Sequence, residues 1–329
     1  MNIGIIGCGL IGHKRAKSLG AARLMACADI DKSRADAFAR NYPGCTAVSD
    51  WRHVLDNSQV NAVVVATPHD SLATITAAAI AYRKHVLVEK PAARHVSELN
   101  YLHKSAKDAG VQVRVGFNHR YHRAFRRARD LIDSGALGPL MFLRARYGHG
   151  GRVGYDTEWR AKPEISGGGE LIDQGVHVID LARWFLGDFS RVDGFAHTYY
   201  WNMPVDDNAF LLLRTPDDRA AFMHVSCTEW RNTFSFEIYG KLGKIHIDGL
   251  GGSYGTERLA FYKMSPEMGP PETVIHEYPM GDDSWAMEMA EFLRDIELKR
   301  EPSPGLNDAA AALKIVDKIY RTSGYDHSA

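Results

Sequence analysis

A glycine-rich turn near the amino terminus constrains the fold more than any other feature of the sequence. The apolar run 2–6 is followed directly by Gly7-Cys8-Gly9-Leu10-Ile11-Gly12, and a helical pattern begins at Leu10. In such a strand–turn–helix unit, the first glycine permits the tight turn, the second lets backbone amides approach a pyrophosphate, and the third lets helix and strand pack closely. The helix N-terminus would supply unpaired N–H groups for the diphosphate. The spacing therefore predicts a dinucleotide site built from Gly7, Gly9, Leu10, Ile11 and Gly12.

Asp29 ends the second apolar run, where it can set the choice of dinucleotide. Its carboxylate can accept hydrogen bonds from the adenosine ribose hydroxyls and would repel a 2′-phosphate. Asp31 adds a second negative charge beside Asp29, whereas the positive charges of Lys32 and Arg34 would still allow NADP to bind. We therefore expect NAD rather than NADP. The alternative is that Asp29 merely begins a turn after a strand.

The two parts of the chain show different apolar patterns. In residues 1–118, short continuous apolar runs alternate with helical patterns, which is typical of strands buried on both faces of a parallel sheet. From about residue 139, many runs alternate with period two, as in an antiparallel sheet with one less apolar face. We predict an α/β chain with an N-terminal Rossmann domain, a doubly wound parallel sheet, over residues 1–118. A C-terminal α+β domain with a large, mostly antiparallel open sheet would occupy 119–329, and its terminal helices can pack back on the first domain.

Composition excludes several classes of partner. Lys plus Arg and Asp plus Glu both number 40, so the formal charge is zero. The chain therefore lacks the excess of basic residues that is typical of nucleic-acid-binding proteins. No apolar run reaches the roughly eighteen residues of a membrane span. The cysteines, Cys8, Cys27, Cys45 and Cys227, lack CxxC spacing, which fits reduced thiols. We therefore expect a cytoplasmic location without membrane or nucleic-acid partners.

Two polar segments end predicted strands. Ala66-Thr67-Pro68-His69 follows one apolar run, and Glu89-Lys90-Pro91 follows another. Open α/β sheets bind ligands at the carboxyl ends of their strands. Lys90 is thus well placed to face a nicotinamide ring, although, taken alone, this lysine is better interpreted as a solvated loop residue with a surface partner.

A third segment places three ionisable groups on one helical face. Asp173, His177 and Asp180 follow Gly167-Gly168-Gly169 at positions i, i+4 and i+7. Burying ionisable groups on an apolar helix is unfavourable unless they have partners or a function that maintains them. Alternatively, Asp173 complements the helix N-terminus, His177 is a core histidine and Asp180 pairs with Arg183. No further run of ligands accompanies them, so we expect no metal.

Glycine-rich loops offer candidate substrate contacts. Tyr147, His149 and Arg152 lie in or beside a glycine-rich loop that follows a strand, and they can bind hydroxyls. Arg152 can also meet a carboxylate or diphosphate, and the alternative is a solvated turn. A second loop spans 249–255. Such groups suit a polyol, an aldose, a keto-sugar or a nucleotide-linked sugar without choosing among them.

Together these segments resemble the glucose–fructose oxidoreductase / inositol dehydrogenase (Gfo/Idh/MocA) family, and the resemblance covers most of the chain. It implies NAD(P)-dependent hydride transfer between nicotinamide C4 and a secondary alcohol or ketone of a sugar, polyol or nucleotide-linked sugar. It also implies a homo-oligomer, dimer or tetramer, formed through the C-terminal sheet. The motifs are the glycine turn, Ala66-Thr67-Pro68, Glu89-Lys90-Pro91, Gly116-Phe117-Asn118-His119-Arg120, Trp159-Arg160 and the helix after the triple glycine.

The resemblance also implies roles for particular residues. Lys90 would be the catalytic lysine, with Asp173 and His177 completing the constellation and touching substrate, and whether Lys90 or His177 carries the proton stays open. Glu170 stands where many family members carry an apolar residue, which indicates a polar substrate contact or a helix-start charge. Residues expected beside the cofactor are Thr67, Pro68, His69, Glu89, Lys90, Asn118, Trp159 and Arg160, and those expected beside the substrate are Arg120, Tyr147, His149 and Arg152.

Other functions remain as alternatives. A non-catalytic NAD(P)-binding regulator would be expected to lack Lys90 or His177, yet both are present. A glycosidase-like enzyme that uses NAD for transient oxidation would release aglycone without net NADH. A methyltransferase would bind a sulfonium cofactor instead of NADH.

Overall fold

The computed structural model describes residues 1–267 and 269–325. Its contacts divide the chain into two compact units, the first formed by Met1–Phe117 with Trp285–Leu313 and the second by Asn118–Ser284 with residues 314–325. Residue 268 and residues 326–329 of the predicted second domain lie outside the described residues. Among the helices described, none combines the length and the apolar character that crossing a membrane requires.

The first unit contains a six-stranded parallel sheet. Its strands are β1 (Asn2–Ile6), β2 (Arg23–Ala28), β3 (Thr46–Val48), β4 (Ala62–Val65), β5 (His85–Glu89) and β6 (Val113–Gly116). They lie in the order β3-β2-β1-β4-β5-β6. This order reverses direction between β1 and β4, where doubly wound sheets bind dinucleotides. The predicted Rossmann fold is confirmed.

Helices connect these strands. They are α1 (Leu10–Lys17), α2 (Lys32–Ala39), α3 (Arg52–Asp56), α4 (His69–Ala81) and α5 (Leu102–Ala109). Helix α1 packs tightly on the glycine turn, because a Cβ at Gly12 would lie 2.0 Å from the Gly7 carbonyl oxygen. Only glycine fits there, as the motif predicts.

The second unit contains an eight-stranded sheet in the order β14-β13-β12-β11-β7-β10-β9-β8. Only β7 and β10 pair in parallel, and the other neighbours are antiparallel. The predicted large, mostly antiparallel sheet is therefore confirmed. The strands are β7 (Leu140–Gly148), β8 (Arg191–His197), β9 (Asn208–Arg214), β10 (Ala220–Ser226), β11 (Thr233–Gly240), β12 (Gly243–Asp248), β13 (Glu257–Lys263) and β14 (Glu272–Tyr278).

Helices of the second part of the chain complete the fold. They are α6 (Arg123–Asp133), α7 (Pro163–Ser166), α8 (Val176–Leu186), α9 (Ser284–Leu298) and α10 (Leu306–Ser323). Alternate residues of β11, including Phe234, Phe236 and Ile238, are buried on the helix-bearing face of the sheet. The opposite face leaves large apolar side chains exposed.

Candidate active site

The glycine turn leaves an open helix N-terminus. Gly7 has φ +102°, and a Cβ there would lie 2.3 Å from the Ala66 carbonyl oxygen. A Cβ at Gly9 would meet no atom within 4 Å, and among the described residues no side chain caps α1. The amides of Leu10 and Ile11 belong to this uncapped first turn. The turn therefore fits a dinucleotide diphosphate, because its backbone donors are accessible and its helix end is partly positive.

Asp29 is held beside this turn. Its Oδ2 accepts a hydrogen bond from Cys8 N at 2.9 Å, and its Oδ1 accepts one from Asp31 N at 3.0 Å. Arg34 Nη1 lies 3.7 Å from Oδ2. Each carboxylate oxygen can accept more than one hydrogen bond, so the fixed carboxylate can still receive ribose hydroxyls.

Candidate residues follow the neighbouring strands β4 and β5. Thr67 and Pro68 come directly before α4, and His69 is the buried first residue of that helix. Lys90 is half-buried after β5, and its peptide bond to Pro91 is cis. Since β1, β4 and β5 are adjacent and parallel, their carboxyl ends share one edge of the sheet.

Glu89 belongs to a buried ion cluster. Arg15 Nε donates to Glu89 Oε1 at 2.6 Å, and Arg15 Nη1 donates to Glu288 Oε2 at 2.5 Å. Gly116 makes room for the group, since a Cβ there would lie 2.6 Å from Arg15 Nη2. This cluster fixes the end of β5, and with it the backbone that precedes Lys90.

In the second unit, Asp206 anchors the triple glycine. The Asp206 carboxylate accepts from Gly169 N at 2.9 Å, Leu171 N at 2.8 Å and the Tyr320 hydroxyl at 2.6 Å. A Cβ at Gly169 would lie 1.9 Å from the Asp206 carbonyl oxygen. Burial raises the pKa of Asp206 to about 6, against the opposing effect of these hydrogen bonds. The triple glycine is therefore needed for close backbone approach.

The predicted helix after the triple glycine begins with a π-helical turn. Leu171–Gly175 forms this turn and carries Asp173, and α8 follows with His177 and Asp180. Single π turns within α-helices frequently occur at functional sites. All three ionisable side chains are buried.

Each carboxylate of this stripe has an arginine partner. Arg160 Nε donates to Asp173 Oδ2 at 2.8 Å, and its guanidinium lies 4.5 Å above the Trp159 ring. Arg120 binds Asp180 through two hydrogen bonds of 2.7 Å and 2.5 Å. Arg183, the alternative partner considered for Asp180, binds Asp188. Arg120 therefore braces α8 by way of Asp180.

His177 stacks on a second imidazole. The His119 and His177 rings lie 3.7 Å apart at an interplanar angle of 18°. Asn118 orients His119, because its Oδ1 lies 3.2 Å from His119 Nδ1 and its Nδ2 donates to the Ser284 hydroxyl at 2.9 Å. His119 lies within the motif 116–120, which predicts no particular role for it.

Tyr147, near the end of β7, and His149, in the loop after it, lie beside other candidate residues. His149 Nε2 lies 3.5 Å from Glu170 Oε2, and the buried Tyr147 ring lies 5.4 Å from His119. Arg152 differs, because its side chain is 64% exposed and pairs with Glu158 at 2.7 Å.

Sequence reasoning missed two aromatic neighbours. Tyr155 lies 5.5 Å from the His149 ring, and Tyr254 lies 5.1 Å from the Tyr147 ring. Tyr254 stands in the second glycine-rich loop, which was a usable signal, whereas no local pattern marks Tyr155. Within residues 1–267 and 269–325, no group of three or more His, Cys, Asp or Glu side chains is arranged to hold a metal ion.

Family models match both parts of the chain. The model described as an oxidoreductase family with an NAD-binding Rossmann fold matches residues 1–117, and the model of the GFO/IDH/MocA C-terminal domain matches residues 125–246.

Characterised relatives and solved structures agree with these matches. The chain is 30% identical to levoglucosan dehydrogenase of Pseudarthrobacter phenanthrenivorans over 283 residues, covering 74% of this chain and 73% of the relative. It is 26% identical to inositol 2-dehydrogenase of Rhizobium meliloti, covering 98% of this chain and 96% of the relative. A solved levoglucosan dehydrogenase in complex with NADH superposes with a TM-score of 0.87 at 25% identity, covering 98% of both chains.

Proposed function

The chain belongs to the Gfo/Idh/MocA family of NAD-binding oxidoreductases, and we propose that it interconverts a secondary alcohol and a ketone on a sugar or polyol. In this proposal, residues 1–118 hold the cofactor and residues 119–329 hold the substrate. Lys90 of the first unit acts with Asp173 and His177 of the second. The observation that carries the proposal is the buried pair Asp173 and His177, one helical turn apart, with Asp173 bound to Arg160.

The glycine turn and Asp29 support NAD as the cofactor. The amides of the turn would hold the diphosphate, and the Asp29 carboxylate would accept the ribose hydroxyls. The same carboxylate would disfavour the 2′-phosphate of NADP. When bound, NAD supplies the hydride acceptor for alcohol oxidation.

His177 is suited to accept the proton of the substrate hydroxyl. An imidazole has an ordinary pKa of about 6.5, close to working pH, and general-base catalysis typically contributes about 10²–10⁴-fold. The stacked His119 ring limits the orientations of His177. His177 can therefore present a ring nitrogen to the hydroxyl in one fixed direction.

Lys90 and Asp173 complete the proposed chemistry. The Lys90 ammonium would stabilise the developing alkoxide, or polarise the carbonyl in the reverse direction. Asp173, held by Arg160, would orient His177 or bind a substrate hydroxyl. Because Lys90 and His177 can be coupled, either can hold the transferred proton.

A titration followed by a substrate panel tests this function. NADH and NADPH are titrated by fluorescence, and NAD reduction is then followed by absorbance with levoglucosan, myo-inositol and D-glucose. We expect tighter NADH binding and reduction of NAD with at least one compound. Binding of NADH with no turnover of any sugar or polyol would favour the regulator. Release of aglycone from a glycoside without net NADH would favour the glycosidase-like enzyme.

The exposed face of the second unit's sheet supports a homo-oligomer, dimer or tetramer. Phe142, Phe195, Leu212 and Phe222 are large apolar side chains exposed on this face, and Phe222 lies directly across from Leu212. Contiguous exposed apolar patches mark interaction surfaces. We include self-association through this sheet in the proposal.

The cysteines support a cytoplasmic location. Cys8, Cys27, Cys45 and Cys227 are all free thiols. Disulfides are rare in the reducing cytosol. Fractionation of expressing cells tests this, and recovery of the protein from an oxidising compartment would contradict it.

A further inference from the structure

Glu170 is a buried carboxylate with an unused acceptor. Its side chain is 0% exposed, and its Oε2 lies 3.5 Å from both His149 Nε2 and the Tyr155 hydroxyl. Its Oε1 has no hydrogen-bond partner among the residues that the structure describes. Buried polar atoms in native proteins are nearly always paired, with protein, water or ligand. The unused oxygen therefore needs a donor from outside the described residues, either a water molecule or a ligand hydroxyl.

His149 supplies the nearest positive charge. Its Nδ1 accepts a hydrogen bond from Gly151 N at 2.9 Å, so the ring proton lies on Nε2, toward Glu170. Burial favours the neutral ring, but the hydrogen bond with Glu170 and the charges of Glu170 and Asp173 outweigh it and raise the pKa of His149. Glu170 therefore faces an imidazole that readily takes up a proton.

Three phenols lie within electrostatic range of the two carboxylates. Tyr147, Tyr155 and Tyr254 each interact electrostatically with Glu170 and Asp173. Burial, followed by the charges of these carboxylates, raises the pKa of Tyr254 to about 12, although its hydrogen bond with Tyr147 opposes the shift. The phenols thus remain neutral and can donate to, or accept from, ligand hydroxyls.

Carboxylates and basic side chains lie side by side in this cluster. Glu170 Oε2 lies 3.5 Å from His149 Nε2, and Asp173 Oδ2 lies 2.8 Å from Arg160 Nε. A neutral ligand rich in hydroxyls would add no charge to the cluster, whereas an anionic group would lie against two carboxylates. An ammonium group would compete with His149 for Glu170.

The cluster continues to the proposed proton acceptor. The Tyr147 ring lies 5.4 Å from His119, and His119 stacks on His177 at 3.7 Å. Glu170 is also three residues before Asp173 and directly precedes the π-helical turn that carries Asp173. A ligand group at Glu170 would therefore belong to the same substrate as the group at His177.

We propose that Glu170 is a specificity-determining residue whose Oε1 accepts a hydrogen bond from a substrate hydroxyl other than the reacting one. The preferred substrates are then neutral sugars or polyols, in preference to sugar acids and nucleotide-linked sugars. This inference rests on the proposed dehydrogenase function and names its substrate class.

Two variants of Glu170 test the inference. Glu170→Gln keeps the shape but removes the charge, and Glu170→Asp keeps the charge but withdraws it by one methylene. The exposed carboxylate six residues earlier gives the matched control Glu164→Gln. Substrates are levoglucosan, myo-inositol and D-glucose as neutral compounds, D-glucuronate as an anion and D-glucosamine as a cation.

We expect the wild type to oxidise neutral compounds in preference to D-glucuronate. Both Glu170 variants should raise KM about ten- to hundredfold, the value of a hydrogen bond to a charged group, with little change in kcat. NADH affinity and the control should be unchanged. An unchanged KM in Glu170→Gln, or a wild-type preference for D-glucuronate, would overturn the inference. A wild-type preference for D-glucosamine that Glu170→Gln abolishes would also overturn it, because the carboxylate would then bind a cation.

A binding measurement separates this inference from the proposed function. The same neutral compounds should raise the melting temperature of the NADH-bound wild type, and Glu170→Gln should lose that increase. If no compound is oxidised but this pattern appears, the dehydrogenase proposal fails while the Glu170 site stands. If oxidation occurs but Glu170→Gln is protected as well as the wild type, only the Glu170 site fails.

Discussion

Arg160 Nε donates a hydrogen bond of 2.8 Å to Asp173 Oδ2. The two residues come from a short 3-10 turn and from a π-helical turn, so neither belongs to a regular α-helix. Arg160 also lies over the Trp159 ring, which limits its freedom. The Trp159-Arg160 motif therefore holds Asp173, a residue of the proposed chemistry, in position.

Replacing Arg160 with alanine should lower kcat about 10- to 100-fold, because Asp173 would lose the partner that orients it. Because Asp173 is buried, the loss of this arginine should also lower the free energy of unfolding, so urea unfolding of the variant is measured beside its kcat. Steady-state kinetics with the best substrate of the panel measures it. The exposed Arg191 pairs with Asp193 on β8, and Arg191→Ala serves as the control. Equal kcat values for Arg160→Ala and the wild type would remove the positioning role.

His177→Ala should lower kcat about 10²–10⁴-fold, which is the usual contribution of general acid–base catalysis. NADH affinity should be unchanged, since the glycine turn and Asp29 hold the cofactor in our proposal. The control His276→Ala changes a histidine of β14. If Lys90 and His177 act as one unit, Lys90→Met combined with His177→Ala should cost little more than the larger single effect. Wild-type hydride-transfer rates in His177→Ala would contradict the role assigned to this imidazole.

Asp29→Ser should shift cofactor preference toward NADP by about tenfold or more. The substitution removes the charge that repels a 2′-phosphate and leaves Arg34, whose Nη1 lies 3.7 Å from Asp29 Oδ2, available to bind it. The ratio of kcat/KM for NADP to that for NAD measures the shift. Asp50→Ser, at an exposed carboxylate of the same unit, should leave the ratio unchanged. An unaltered ratio in Asp29→Ser would mean that this carboxylate only supports the turn through Cys8 N.

The regular elements follow from local patterns in the sequence, and the exceptions have physical causes. Residues 191–201 are predicted as one strand, but β8 ends at His197. The Asp207 carboxylate accepts hydrogen bonds from the backbone of Tyr199, Tyr200 and Trp201, so these donors are not available to the sheet. Strand β3 has only three residues, none of them fully buried, and therefore leaves no apolar run to detect.

For the candidate site, local sequence patterns predict the residue types but not their partners. The sequence indicates the residue types and their helical face, and Asp173, His177 and Asp180 do lie on the predicted segment. Their partners come from elsewhere in the chain. Asp180 binds Arg120, 60 residues earlier. Helical periodicity carries no information on such pairs, because they depend on how the segments pack.

Asp206 should make stability depend on pH between about 4 and 6. Burial raises its pKa to about 6, whereas an unfolded Asp titrates near 3.9. In this window the folded protein holds a proton that the unfolded chain has released. The stabilising contribution is therefore complete below about pH 4 and is lost as the pH rises through 6.

Asp206→Asn removes this titration. The free energy of unfolding of the wild type, relative to Asp206→Asn, should be about 3 kcal/mol more favourable at pH 4 than at pH 7. Urea unfolding at both pH values measures it, and Asp193→Asn at an exposed site on β8 is the control. A difference between wild type and Asp206→Asn that stays constant with pH would show that folding does not raise the pKa of Asp206.

A charge on the open face of the second unit's sheet should disrupt the proposed oligomer. Phe222 and Leu212 are opposed on β10 and β9 and are 49% and 46% exposed. An aspartate at Phe222 would be desolvated by any partner that covers this face, which is strongly unfavourable without a counter-ion. We therefore expect Phe222→Asp to lower the mass measured by light scattering to that of one chain. The control Leu242→Asp changes an exposed leucine between β11 and β12, outside these strands, and should leave the mass unchanged. A wild type that is already a monomer, or a Phe222→Asp variant with the wild-type mass, would show that this face is not the interface.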